Sequence, residues 1–148
     1  MDQAELGTIR SFLSQGTDLT LATVRPDGFP QATTVSYVAD GLTVYFGCGD
    51  TSQKAANLSR NPKVSFTVDL PYRTWEEIRG LSAAGLAAPV TEAAEIAKIS
   101  QLMLAKFPEL AGADSSALAH MTLFKIEPKV FSVLDYAKGF GHTQLVEL

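Results

Sequence analysis

Leu6, Ile9, Phe12 and Leu13 recur at helical spacing within residues 2 to 15, which predicts a short amphipathic helix. The period then changes. Thr20 to Arg25 alternates apolar and polar residues and predicts a strand. "RPDGFP" at 25–30 predicts a turn, since Pro26 presets its φ and Gly28 permits a positive one. Gln31 to Val38 predicts a second strand. "ADG" at 39–41 predicts a hairpin, and Leu42 to Phe46 a third strand. Thr51 to Arg60 predicts a helix, stopped at Asn61-Pro62 because the residue before proline avoids the α region.

Val64, Phe66 and Val68 share one face of "KVSFTVDL", a fourth strand. "WEEIRGLSAAGLAAPV" predicts a long fifth strand bent at Gly80 and Gly85. Ile96, Ile99, Leu102 and Met103 form an apolar stripe on a helix from Thr91 to Phe107, with Thr91 as its N-cap. "MTLFKIEP" and "KVFSVLDY" predict two more strands, separated at Pro128; the tail "AKGFGHTQLVEL" is Gly-rich, then apolar. The order is helix, three hairpin-linked strands, helix, two strands, helix, two strands. Strands and helices do not alternate, which disfavours a parallel nucleotide-binding sheet. The expectation is a mainly β (α+β) fold: one domain, residues 1–148, built as a small antiparallel β-barrel with flanking helices.

Composition narrows function mostly by exclusion. The 148 residues carry a net charge of -4, so no general attraction to nucleic acid or anionic membrane is expected. No window approaches the apolar length of a membrane span. "MDQAELGTIRSFL" lacks the basic start and long apolar core of a signal peptide, and Cys48 is the single cysteine. A cytoplasmic location is the expectation. There is no Ser/His/Asp set, P-loop or G-x-G-x-x-G, so hydrolysis and nucleoside triphosphate chemistry have no support.

One stretch stands out. In "GDTSQKAANLSRNPKVS", Thr51, Ser52 and Lys54 occupy a strand-to-helix junction. A lysine opposes the positive end of the helix dipole, where an anion is stabilising. Free N–H groups, hydroxyls and an ammonium would together cradle a phosphate. The alternative is an ordinary capped helix with a solvated lysine. Three of the 12 Lys/Arg fall between 54 and 63, which favours the anion site; Asp50 works against it unless its side chain points away. Thr33, Thr34 and Ser36 place hydroxyls on the second strand, Thr34 and Ser36 on one face, Thr33 and Val35 on the other. A solvated strand face is the plainer explanation of these. Lys138, His142 and the pair Trp75 and Arg79 are weaker candidates. Tyr37 and His142 are guesses for a catalytic acid, and no catalytic residue is assigned.

The turn "DGFPQ" feeding a Thr-rich strand, the segment "SQKAANLSRNPKVS" and the closing "FSVLDYAKGFGHTQLV" resemble the pyridoxamine 5'-phosphate oxidase-like family of flavin-binding split barrels, over most of the chain. The resemblance implies FMN as cofactor, a homodimer holding it at the interface, and an oxidoreductase acting on an unassigned small-molecule substrate. It implies that Thr33, Thr34, Val35 and Ser36 line the ring and ribityl chain. It implies that Ser52, Gln53 and Lys54 bind the phosphate with Thr51 beside them and Asn57 in support, and that Arg79 lies where the partner subunit reaches the flavin. No metal ligand is implied. The vitamin oxidase keeps arginines where Thr33 and Gln53 stand, and its substrate-phosphate motif is unmatched in "GFGHTQLVEL". These departures speak against oxidation of pyridoxamine phosphate itself. Relatives in the superfamily use a deazaflavin or bind haem, and a non-catalytic flavin carrier or sensor is a further alternative.

Overall fold

The computed structural model describes residues 2–148. Helix α1 (Gln3–Gln15) is N-capped by Asp2, whose carboxylate accepts from Ala4 N at 2.9 Å. Strands β1 (Asp18–Val24), β2 (Pro30–Asp40) and β3 (Thr43–Gly49) follow as an antiparallel meander. Helix α2 (Gln53–Arg60) precedes β4 (Lys63–Asp69) and β5 (Arg79–Pro89); helix α3 (Ala93–Lys106) and the four-residue α4 (Ser115–Leu118) precede β6 (Met121–Asp135) and β7 (Thr143–Glu147). The sheet order is β3-β2-β1-β4-β5-β6-β7, and a β3–β6 pairing closes six strands into an antiparallel barrel with β7 outside the closure. The split barrel with flanking helices expected from the sequence is the fold observed.

Alternation fills the barrel. Leu19 and Leu21 of β1, Val64, Phe66 and Val68 of β4, and Phe131 and Val133 of β6 all point inward and share one core with Ile9, Phe12 and Leu13 of α1. A second, smaller core lies under α3, where Ile99 meets Val38, Tyr45 and Val90. Consecutive residues Tyr37 and Val38 are therefore both buried, one facing the barrel and the other facing α3. Polar clamps hold α3 in place: Tyr45 Oη donates to Glu95 at 2.9 Å, Lys98 pairs with Asp40 at 2.5 Å, and Lys106 Nζ donates to Tyr37 O at 2.7 Å. No helix among the described residues is long and apolar enough to cross a membrane.

Three local expectations are corrected. Residues 121–135 form one strand, not two separated at Pro128. Between Ala84 and Gly85 of β5 the register jumps from Val130 to Pro128, so Lys129 is the extra residue of a bulge. Proline is tolerated there because a bulge relaxes the demand for a ladder donor. A Cβ on Gly85 would sit 2.4 Å from Glu127 O, so only glycine allows this approach. The second correction concerns α3, which is capped at Glu92 rather than Thr91, with no side-chain hydrogen bond. The third is its apolar stripe: Ile99 alone is fully buried, Leu102 and Met103 are half-buried, and Ile96 is exposed.

Candidate functional site

The turn between β3 and α2 is held from three sides. Ser52 N donates to Gly49 O at 3.0 Å, Asp50 N donates to His120 O at 2.9 Å, and Ser52 Oγ accepts from Ala55 N at 3.2 Å. Ser52, not Thr51, is thus the N-cap, and Lys54 stands in the first turn with no carboxylate partner among the described residues. Among the described residues, the backbone N–H groups of Gln53 and Lys54 also lack a hydrogen-bond partner, as the geometry of a first helical turn requires. The Asp50 carboxylate is engaged elsewhere: it accepts from Thr122 Oγ1 at 2.5 Å.

Beside this turn lies a cavity of about 750 Å³. Thr34, Val35 and Ser36 of β2 line it together with Lys54, so four of the residues singled out in the sequence converge on one space. Gly47, Cys48 and Gly49 at the end of β3, Thr122 of β6, and apolar side chains from α3, α4 and the segment between them complete the wall. Burial pushes the Cys48 thiol up from its ordinary value; the Ser52 hydroxyl and the Lys54 charge pull it partly back. Sequence reasoning missed Cys48, Thr122 and the α3–α4 wall. The glycines flanking Cys48 were the available signal, since they leave room where side chains would stand.

Other predicted residues fall outside this cavity. Thr51 and Gln53 are exposed, and Thr33 is half-buried opposite Leu21. Asn57 is fully buried, donating to Thr23 Oγ1 at 2.9 Å and Gln31 Oε1 at 3.0 Å and accepting from Gln53 Nε2 at 2.8 Å. Arg79 is exposed at the start of β5, paired in register with Asp135 at the far end of β6 from Met121. Its guanidinium sits 5.8 Å from the centre of the Phe12 ring.

Tyr37 does not line the cavity. It is wholly buried, donates to Leu13 O at 2.6 Å, and has its pKa raised by burial. His142 lies in the turn before β7, where its backbone bonds Asp135 and Gly139. Trp75 is exposed and packs on Phe140 with ring centres 5.5 Å apart. Among the described residues no group of three or more His, Cys, Asp or Glu could hold a metal ion.

The model of the pyridoxamine 5'-phosphate oxidase family matches residues 7–135. No curated protein matches the chain. Among solved structures, a conserved hypothetical protein from Mycobacterium tuberculosis is 27% identical, with a TM-score of 0.79 over 97% of this chain and 91% of that one. HutZ, the haem storage protein of Vibrio cholerae, is 24% identical, with a TM-score of 0.69 over 85% and 89%. A haem-binding protein from Mycobacterium smegmatis is 17% identical, with a TM-score of 0.83; the match covers 99% of this chain but 59% of that longer one. The last two likenesses are likenesses of fold.

Proposed function

Because the chain belongs to the pyridoxamine 5'-phosphate oxidase family, we propose that it is an FMN-binding oxidoreductase whose cofactor phosphate rests on the first turn of α2. The observation that carries this reading is the first turn itself. Among the described residues it offers an unpaired ammonium that lines a cavity large enough for a flavin, with two unpartnered N–H groups in the same helical turn. The residues present fit the phosphate of FMN, since Lys54 and the N–H groups are donors without acceptors among the described residues.

Bound flavin would supply hydride or single-electron transfer. The chain would do the rest. Lys54 and the N–H groups of Gln53 and Lys54 would neutralise the phosphate, while Ser52 keeps the helix start in shape. Thr34 and Ser36 offer hydroxyls to the polar edges of a ligand. The apolar wall would exclude water, which strengthens every electrostatic contact inside. Arg79 lies outside the chain's own cavity, in keeping with a homodimer in which the partner copy brings it to the site. The substrate is a small molecule other than pyridoxamine phosphate.

The test is an absorption spectrum of the purified protein, with mass analysis of the released ligand. A yellow protein whose flavin bands leave on acid treatment supports the reading; a colourless protein that takes up no FMN in titration overturns it. Steady-state turnover with reduced nicotinamide and a panel of acceptors separates an enzyme from a flavin carrier, and a released deazaflavin would replace FMN as the cofactor. A second reading is haem in the same barrel. It draws support from the haem proteins that share the fold and from His120, which lies in the chain between the cavity-lining Leu118 and Met121. Haem iron needs an axial ligand, and a Soret band lost in His120→Ala would favour that reading.

A further inference from the structure

Large apolar side chains rarely stay exposed in a cluster without reason. Here Ile96, Leu104, Leu118 and Met121 remain 38–49% exposed, and all four line the cavity that Lys54 borders. Gly47 and Gly49 line the same space; a Cβ on Gly47 would touch Met121 Cε at 3.6 Å, and one on Gly49 would meet nothing within 4 Å. The cavity is therefore two-sided. Its strand side carries the hydroxyls of Thr34, Ser36 and Thr122, and its helix side is apolar except for the neutral hydroxyl of Ser100. Among the described residues Lys54 is the one charged side chain in the lining, and it lies at the α2 end.

This distribution constrains a ligand. A second charge, placed against the α3–α4 wall, would be desolvated with no partner. We propose that the helix side of the cavity is the substrate subsite and takes a neutral, largely apolar small molecule. The assignment rests on the reading above, in which Lys54 holds the cofactor phosphate and so is not available to an anionic substrate. The partly open stripe of α3 follows from the same role: Ile96 and Leu104 face a ligand space rather than the barrel.

Equilibrium dialysis with menadione, a neutral naphthoquinone, tests this on the full chain, with and without FMN. Wild type is compared with Leu104→Glu and Leu118→Glu, each checked for folding by circular dichroism; both positions are exposed enough to accept glutamate. The expected result is menadione binding by wild type and a loss of at least about tenfold in affinity in either variant, from burying a carboxylate against the bound ring. Unchanged affinity in both folded variants overturns the proposal. So does pyridoxamine 5'-phosphate displacing menadione with equal or better affinity. A wild type that binds no menadione, with glutamate variants that shift from dimer to monomer on size exclusion, would assign the wall to a second copy of the chain. The FMN titration is read separately: menadione binding that persists where FMN does not bind overturns the cofactor reading and leaves the apolar subsite standing.

Discussion

Asn57 Nδ2 of α2 donates to Thr23 Oγ1 of β1 across 2.9 Å, and both residues are buried. The same amide group reaches Gln31 Oε1 of β2 at 3.0 Å and accepts from Gln53 Nε2 at 2.8 Å. One buried side chain thereby fixes the start of α2 relative to β2, the strand that carries Thr34 and Ser36. Asn57→Ala leaves the Thr23 hydroxyl without a partner and opens a void, so stability is expected to fall by about 2–3 kcal/mol. The check is a shift in urea midpoint at unchanged slope, together with weaker FMN binding because the helix start is no longer held.

Ser52 and Lys54 separate folding from binding. Ser52→Ala removes the N-cap and is expected to cost about 1 kcal/mol of stability. Lys54→Ala removes a cation from the unfavourable end of a helix dipole, so stability should be unchanged or slightly higher. FMN affinity in Lys54→Ala should nonetheless fall by about tenfold or more, the range of a charge-assisted hydrogen bond to phosphate. Thermal melts and FMN titrations on the two variants check this; equal FMN affinity in Lys54→Ala and wild type would leave the lysine as a solvated side chain.

At the bulge, Gly85→Ala forces a Cβ to 2.4 Å from Glu127 O and 2.8 Å from Pro128 Cα. Both obstacles belong to the backbone of β6 and cannot swing aside. A destabilisation of about 2–3 kcal/mol is expected, as for overpacking in a core, whereas Gly7→Ala on α1, where nothing lies within 4 Å, should be neutral or stabilising. Chemical denaturation of the pair measures the difference.

Tyr45 gives the fold a pH dependence on the alkaline side. Burial, then its hydrogen bond to Glu95, pushes its hydroxyl up to about 12. A tyrosine in the unfolded chain ionises near pH 10. The folded state therefore binds more protons than the unfolded state between these values, and stability falls as pH rises through them. Below about pH 10 the contribution is fully present. Tyr45→Phe should show a shallower loss of stability from pH 9 to pH 11 than wild type, read as urea midpoints alongside ultraviolet tyrosinate absorbance.

Much of this protein is legible as a pattern. The alternation of Val64, Phe66 and Val68 and the turn residues Gly28 and Gly41, both at positive φ, specify strands and hairpins locally. The junction at Ser52 and Lys54 is legible for the same reason, because capping and dipole chemistry act within one helical turn. Pro128 misleads as a strand breaker because its tolerance depends on Gly85, 43 positions earlier in the chain. Arg79 and Asn57 cannot be placed from their neighbours either, since what they touch lies on other elements.

The sequence by itself determined most of the elements, the family resemblance and an anion-attracting helix start, all of which rest on interactions between residues a few positions apart. Only the tertiary structure decided what surrounds that helix start. Barrel closure through β3 and β6 brings Cys48 next to Thr122, and packing of α3 on Val38 and Tyr45 sets Ile96 and Leu104 into the lining of the cavity that Gly47 and Gly49 share. A cavity is the space left between elements distant in sequence, and no local pattern encodes its volume. That is why Ile96 and Leu104, which share α3 with the buried Ile99, face an open space beside Lys54.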